Sequence, residues 1–482
     1  MRQGHGHHVP LNNDVKIVSK FYIFARKKAA PRLNQKFFAI IAPFNPEAGR
    51  NNSNFNFGIL KKHLTSNSMK GLLIICLILW HSIHDVPAAE LVKSVSVQVL
   101  HQNLEGGNGQ TWFHPKACVI PGKDGGPHIA LMTKQIIGGS DYFGPVHWST
   151  SLDQGKTWSE PTLIPAFDRK PVVGHEGLMA GVCDVVPEYH AATDTVLALG
   201  HVVFYRGPRF SGNDQLARYP VYSVRRSDGT WSERRILEWK DPRGAFIYSN
   251  NCGQRWTLPN GDILLAFTFG PKSNHSSVAG VICSFDGEFL KIKQVGPPLK
   301  LEHKRGLLEP SITRFKSKFY MTIRAEDDRG YLSTSEDGIH WHEKTPWSWD
   351  DGEPLSMSST QQHWMTHSEG LYLVYTRKDA KNSDVIRWRS PLYMARFDPE
   401  KNQLVGSSER IVIPMNEDGI SHPDRVALMG NFHITHASAN ESWITVGDWL
   451  PRQGASGTMH LARIQWTQPN QFLKMSGMSD SD

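Results

Sequence analysis

From Leu91 onward the chain is written in short apolar or alternating runs, cut apart by Gly, Asn, Asp and Pro. Six of them are 128–134 (HIALMTK), 196–205 (VLALGHVVFY), 261–269 (GDILLAFTF), 318–324 (KFYMTIR), 371–377 (LYLVYTR) and 431–437 (NFHITHA). Runs of this length and period predict β-strands, and the turn residues between them predict hairpins. Each run follows another apolar strand, and most are followed by a third and a turn, which is the pattern of a four-stranded antiparallel unit. No sustained 3.6-residue period interrupts the runs, so little helix is expected. A single unit cannot bury both of its faces, so the six must pack radially as one domain. The expected fold is all-β, a six-bladed β-propeller of four-stranded antiparallel blades over residues 90–482. The alternating segment Leu91–His101 (KSVSVQVLH after Leu91-Val92) is expected to pair with the last blade, because closing the ring removes its exposed edges.

The first 89 residues follow a different pattern. Met69-Lys70-Gly71 leads into the apolar run Leu72–Trp80 and then into Val86-Pro87-Ala88-Ala89, a charged start, an apolar core and a small-residue cleavage site. Residues 69–89 are therefore read as a signal peptide, too short to span a bilayer, and residues 1–68 as a non-structural leader from an over-extended start. Export to the periplasm or the extracellular space follows. The formal charge of +7 belongs to the leader, where eleven Lys/Arg face two acidic residues; the remainder is slightly acidic. That removes the charge argument for a nucleic-acid partner. Export permits disulfides, yet Cys118, Cys183, Cys252 and Cys283 have no C-x-x-C spacing and fall mostly in strand openings. They are expected to be inert core thiols. No metal and no cofactor are expected, and the protein is expected to be a monomer.

The turns carry a resemblance. Ser151-Leu152-Asp153-Gln154-Gly155-Lys156-Thr157-Trp158 is similar at every defined position to the Asp-box, S-x-D-x-G-x-T-W, of the sialidase (neuraminidase) superfamily. Shorter relatives stand at 227–231 (SDGTW), 284–287 (SFDG) and 335–341 (SEDGIHW). The chemistry of the motif is structural: Asp caps a tight turn, Gly takes the positive φ, and Trp packs between strands. The resemblance covers roughly residues 95–470 and says propeller rather than catalysis.

A retaining sialidase resembling this chain would use three arginines on the substrate carboxylate, a tyrosine nucleophile activated by a glutamate, and an aspartate acid/base. The tyrosine departs from the usual two-carboxylate scheme, and a neutral nucleophile avoids repulsion from an anionic sugar. By resemblance, Glu309 opens the fourth repeat and Arg324 ends its next strand, as a glutamate and a triad arginine. Arg389, in RSPLYM, resembles the third arginine, with Arg387 as its competitor; a guanidinium fork binds a carboxylate bidentately. Where sialidases carry F-R-I-P, this chain has Phe113-His114-Pro115-Lys116, so the first arginine is unmatched and His114 or Lys116 is the substitute. Asp141 falls at the acid/base position, and His422 at the position of the tyrosine. The resemblance thus implies catalytic Glu309, His422 and Asp141, with substrate held by Arg324, Arg389, His114 and Arg387.

The leading expectation is an exo-acting glycosidase that removes a terminal acidic sugar, sialic acid or a uronate-like analogue, from glycans or acidic polysaccharides. Two alternatives stay open on the same fold. One is a uronate lyase built from His128, His147, Tyr189, His201, Tyr205 and Arg206. The other is a glycan-binding propeller without catalysis.

Overall fold

A computed structural model describes residues 90–103, 111–123, 126–137, 143–207, 209–210, 212–450 and 456–472. The leader and signal peptide inferred above lie outside the described residues, as does Asp141.

The described residues form six separate antiparallel sheets arranged as the blades of a propeller, with almost no helix beyond short 3-10 turns. The innermost strands are Thr111–Ile120 in blade one, Leu178–His190 in blade two, Leu308–Phe315 in blade four, His363–His367 in blade five and Leu428–Ser438 in blade six. In blade three the inner strand is split into Ile247–Ser249 and Trp256–Thr257, both paired with Ile263–Gly270. The segment Val92–Asn103 pairs antiparallel with Gly457–Trp466, so the amino-terminal strand is the outermost strand of the last blade. Ring closure therefore joins the two ends of the domain, as the alternation of 91–101 implied.

One run sits out of phase with the expectation. In the first five blades the runs read above are the second strands, but NFHITHA belongs to the innermost strand of blade six, whose second strand is Glu441–Trp449. Two adjacent buried strands carry the same apolar pattern, so the pattern alone does not distinguish them.

Packing between blades uses large rings. Trp347, Trp364, Tyr320 and Phe397 form one cluster, in which Trp347 is fully buried and the Trp347–Trp364 centroids lie 5.7 Å apart. Phe113 of blade one fits against Gly430 and Gly447 of blade six, where a Cβ would stand 2.6 and 2.4 Å from its ring. The turn after Ser151 is held by Asp153, whose carboxylate accepts from Lys156 N at 3.0 Å and from Thr157 N at 2.9 Å. Gly155 there has φ +75°, and Trp158 donates to its carbonyl at 3.2 Å. The turn after Ser335 repeats the arrangement with Asp337 and Trp341. Cys118, Cys183, Cys252 and Cys283 are buried free thiols.

The inner strands share a local irregularity that builds the site. Pairing slips between Phe113 and Lys116, Cys183 and Val186, Leu308 and Ser311, and Gly430 and His433. Each slip is a bulge, and each contains a non-glycine residue with positive φ: His114 (51°), Asp184 (56°), Glu309 (42°) and Asn431 (35°). Asn251 (51°) falls in the gap of the split strand of blade three. Left-handed conformations of side-chain-bearing residues cost of order 1–3 kcal/mol each, and bulges re-aim side chains. Five blades thus place a strained polar residue at an equivalent point of the innermost strand.

Candidate active site

The site grows from these bulges. Glu309 and Arg324 come from neighbouring strands of blade four, where Leu308 is paired with Arg324. Arg324 is buried, and its Nη1 donates to Glu309 Oε1 at 2.6 Å while Nη2 stands 3.6 Å from Glu326 Oε1. Burial pushes the Glu309 carboxyl up, but the Arg324 guanidinium outweighs it and holds the group below its usual range. Glu309 is therefore ionised at neutral pH. Its other oxygen, Oε2, is buried with no hydrogen-bond partner among the described residues.

Three arginines converge on one short segment ahead of the blade-five inner strand. Arg324 donates to Ser359 Oγ through Nε at 3.3 Å and Nη2 at 3.2 Å. Arg387 donates to the Ser359 carbonyl, and Arg389 Nη2 to Thr360 Oγ1 at 3.2 Å. Arg387 keeps part of its surface in solvent. Desolvation of the remainder, followed by repulsion from Arg324, pushes it down to about 10 against the pull of Glu309. Arg389 is also tied to the last blade, because its carbonyl accepts from Met429 N at 2.9 Å. A cleft of about 300 Å³ opens beside the group, lined by Lys304, Glu326, Asp328, Ser359, Arg387 and Trp388.

On the facing blades, His114 lies between the rings of Phe113 and Phe143, with centroids 4.6 and 4.8 Å away. Burial, then Lys116, depress its pKa to about 3, so it is neutral. His114 therefore cannot supply the missing positive charge. Lys116 is fully buried, 3.9 Å from Asp184 Oδ1, and donates to the Asn431 carbonyl at 3.4 Å. Burial works to raise the Asp184 carboxyl, but Lys116 and the two flanking histidines leave it net depressed. Asn431 Nδ2 donates to Asp184 Oδ1 at 2.5 Å.

The structure thus brings Glu309, Arg324, Arg387 and Arg389 together and places His114 at the bulge equivalent to Glu309. Arg389 acts electrostatically on His114, which links the two groups. It moves the position assigned to His422. That residue is exposed, at the N-cap of the turn Pro423–Arg425, with its main-chain N–H bonded to the Asp418 carbonyl. The inner strand of blade six begins only at Leu428, and the counterpart of Glu309 on it is Asn431. The local cause is Pro423, which sets a 3-10 turn where the sequence reading opened a strand.

Reasoning from sequence missed Asp184 and Asn431. The signal was a polar residue beside an apolar one near the start of four inner strands (Phe-His-Pro, Cys-Asp-Val, Leu-Glu-Pro, Gly-Asn-Phe), visible once those strands are superposed. Of the lyase set, His201 stands beside Asp184 at 4.0 Å. Tyr205 is buried beneath Arg169, whereas Tyr189 bonds to Asp194 and Arg206 to Asp214.

No family profile and no curated protein sequence matches the chain. Solved structures do. A protein of unknown function from Dyadobacter fermentans superposes with a TM-score of 0.53 at 13% identity, over 78% of this chain and 100% of the other. The Hadza microbial sialidase Hz136 gives 0.52 at 13% identity, over 73% of this chain and 65% of that one. A Trypanosoma rangeli sialidase gives 0.50 at 13% identity, over 77% and 60%. The chain thus spans less than two thirds of either sialidase's length and shares their propeller fold.

Proposed function

We propose that this chain is an exported glycoside hydrolase that removes a terminal acidic sugar, sialic acid or a uronate-like unit, from glycans. The observation that carries the reading is the convergence of Arg324, Arg387 and Arg389 on Ser359-Thr360 beside an ionised Glu309. Crowded guanidinium groups, Arg387 among them depressed by burial and then by Arg324, form a site that gains from an anion. A substrate carboxylate at the arginines would place the sugar ring over the bulge residues of the inner strands.

The chemistry then follows from what stands at each bulge. Asn431 stands at the blade-six bulge opposite Asp184, and an amide does not form a glycosyl intermediate. Water is the nucleophile in this reading, with the unpartnered Glu309 Oε2 as the acceptor of its proton. Asp141, which falls in sequence between the second and third strands of the first repeat, is the proposed proton donor to the leaving oxygen. The arginines hold the carboxylate as positive charge develops on the sugar ring, which favours the transition state over the neutral ground state.

The test incubates the purified chain from Glu90 with sialosides and with uronate polysaccharides. Released sialic acid or saturated uronate is expected. Arg389→Ala should reduce kcat/KM by roughly 30- to 5,000-fold, equivalent to about 2–5 kcal/mol of lost transition-state binding. An unsaturated uronate product would replace hydrolysis by elimination, and absence of any product would leave a binding protein.

A further inference from the structure

Behind the bulge of blade two lies a group of donor atoms that the hydrolytic reading does not use. Cys183, Asp184 and His201 each offer a ligand atom, and the three atoms lie within 4.8 Å of one another. Cys183 Sγ stands 3.3 Å from His201 Nε2 and 3.8 Å from Asp184 Oδ2. Cys183 and His201 face each other across paired strands, so the backbone fixes their separation.

A second observation concerns the Asp184 carboxylate. His114 Nδ1 lies 3.9 Å from Oδ1 and His201 Nδ1 lies 4.0 Å from Oδ2. Both nitrogens are buried and have no hydrogen-bond partner among the described residues, and both side chains are at least nine-tenths buried. These gaps are too long for hydrogen bonds. Donors sharing a tetrahedral Zn²⁺ at about 2.0–2.3 Å stand about 3.4–3.6 Å apart. The Cys183 Sγ distances to His201 Nε2 and Asp184 Oδ2, 3.3 and 3.8 Å, span that range.

We propose that Cys183, Asp184 and His201 form a binding site for a divalent metal of the zinc class. One thiolate, one carboxylate and one imidazole are the donor set of a borderline-soft ion rather than of calcium or magnesium. Binding breaks the Cys183 S–H bond and forms a metal–sulfur bond, and the proton leaves to solvent. The 2+ ion then faces two anions, with Lys116 retained beside Asp184 and Arg218 acting on Cys183 and His201. The site gains a net unit of positive charge beside His114, the position where the resemblance expects an arginine.

The test uses metal alone, so it stands or falls apart from hydrolysis. Chelator-stripped full chain is titrated with Zn(II) by calorimetry, and with Co(II) by absorbance. Retention of one equivalent of Zn(II), and a thiolate-to-cobalt charge-transfer band, are expected. Cys183→Ser should abolish the band, and His201→Gln should weaken Zn(II) by more than the roughly 10–100-fold that loss of an outer-shell group causes. Stripped parent protein that retains no stoichiometric Zn(II) overturns the proposal; so does a Co(II) spectrum lacking the band, which needs no variant to read. The same holds if folded Cys183→Ser binds Zn(II) as the parent does, since water or Lys116 alone would then satisfy Asp184.

Discussion

Removing Arg324 tests the core of the site in two independent readouts. Its guanidinium is buried and touches Glu309 at 2.6 Å, with Glu326 at 3.6 Å as a second anion. Charge centres about 4 Å apart at an effective dielectric near 20 interact by about 4 kcal/mol. The Glu309 side chain is 22% exposed, so water recovers part of this, and Glu326 keeps a partner in Arg305. A coupling of about 2–3 kcal/mol between Arg324 and Glu309 is therefore expected from the cycle of Arg324→Ala, Glu309→Ala and the double variant. Urea denaturation followed by tryptophan fluorescence measures it, since the clusters around Trp347 and Trp364 report loss of packing.

The sign of the pH dependence follows from Glu309. Its folded-state pKa is depressed, so the stabilisation is complete above the unfolded carboxyl value near 4.5. It is lost as the pH falls through the lower folded value. Arg324→Ala should thus cost more at pH 7 than at pH 3. A coupling below about 0.5 kcal/mol at pH 7, or a cost that grows on acidification, would refute the assignment of this pair as a buried charge-assisted contact.

Other substitutions probe the scaffold and the register. Arg255, fully buried, contacts Glu188 at 3.0 Å; Arg255→Leu should destabilise by about 3–5 kcal/mol in denaturant unfolding, because Glu188 loses its cation. Trp347→Ala should cost about 3–5 kcal/mol in the same assay, since the ring is fully buried and its Nε1 donates to Thr322 Oγ1 at 3.3 Å. His422→Phe should leave turnover on an acidic glycan unchanged, whereas Asn431→Leu should lower it at least about tenfold by freeing Asp184 from its amide partner; the opposite order would return the blade-six position to His422.

Much of the fold was legible because it rests on periodicity. The closing strand Val92–Asn103 alternates, and a strand that covers one face of an edge must alternate. Glu309 and Arg324 were legible for a related reason: a hairpin of fixed length brings the start of one strand beside the end of the next. Asp184 and Asn431 were not, because their places depend on a bulge and a left-handed backbone that no glycine announces. The exposed place of His422 has a similar origin. Counting from a neighbouring arginine presumes a loop length, and the turn at Pro423–Arg425 delays the strand.

Strain and chemistry coincide in this ring. A left-handed residue inside a buried strand persists only where surrounding contacts over-determine it, and Lys116, Asn431 and the two histidines supply such contacts around Asp184. Glu309 has the equivalent support from Arg324 and from its own N–H, which donates to Thr268 Oγ1 at 2.9 Å. In blade two the support is redundant in charge and leaves imidazole nitrogens unsatisfied; in blade four it leaves a carboxylate oxygen unsatisfied. Unmet buried polar atoms cost about 1–3 kcal/mol apiece unless something outside the chain completes them. The two halves of the ring therefore call for different completions: a proton donor such as water at Glu309, and an electron-pair acceptor at His201. A propeller kept for packing alone would gain stability by replacing these residues with apolar ones, and the cost of retaining them falls where the inner strands meet the axis.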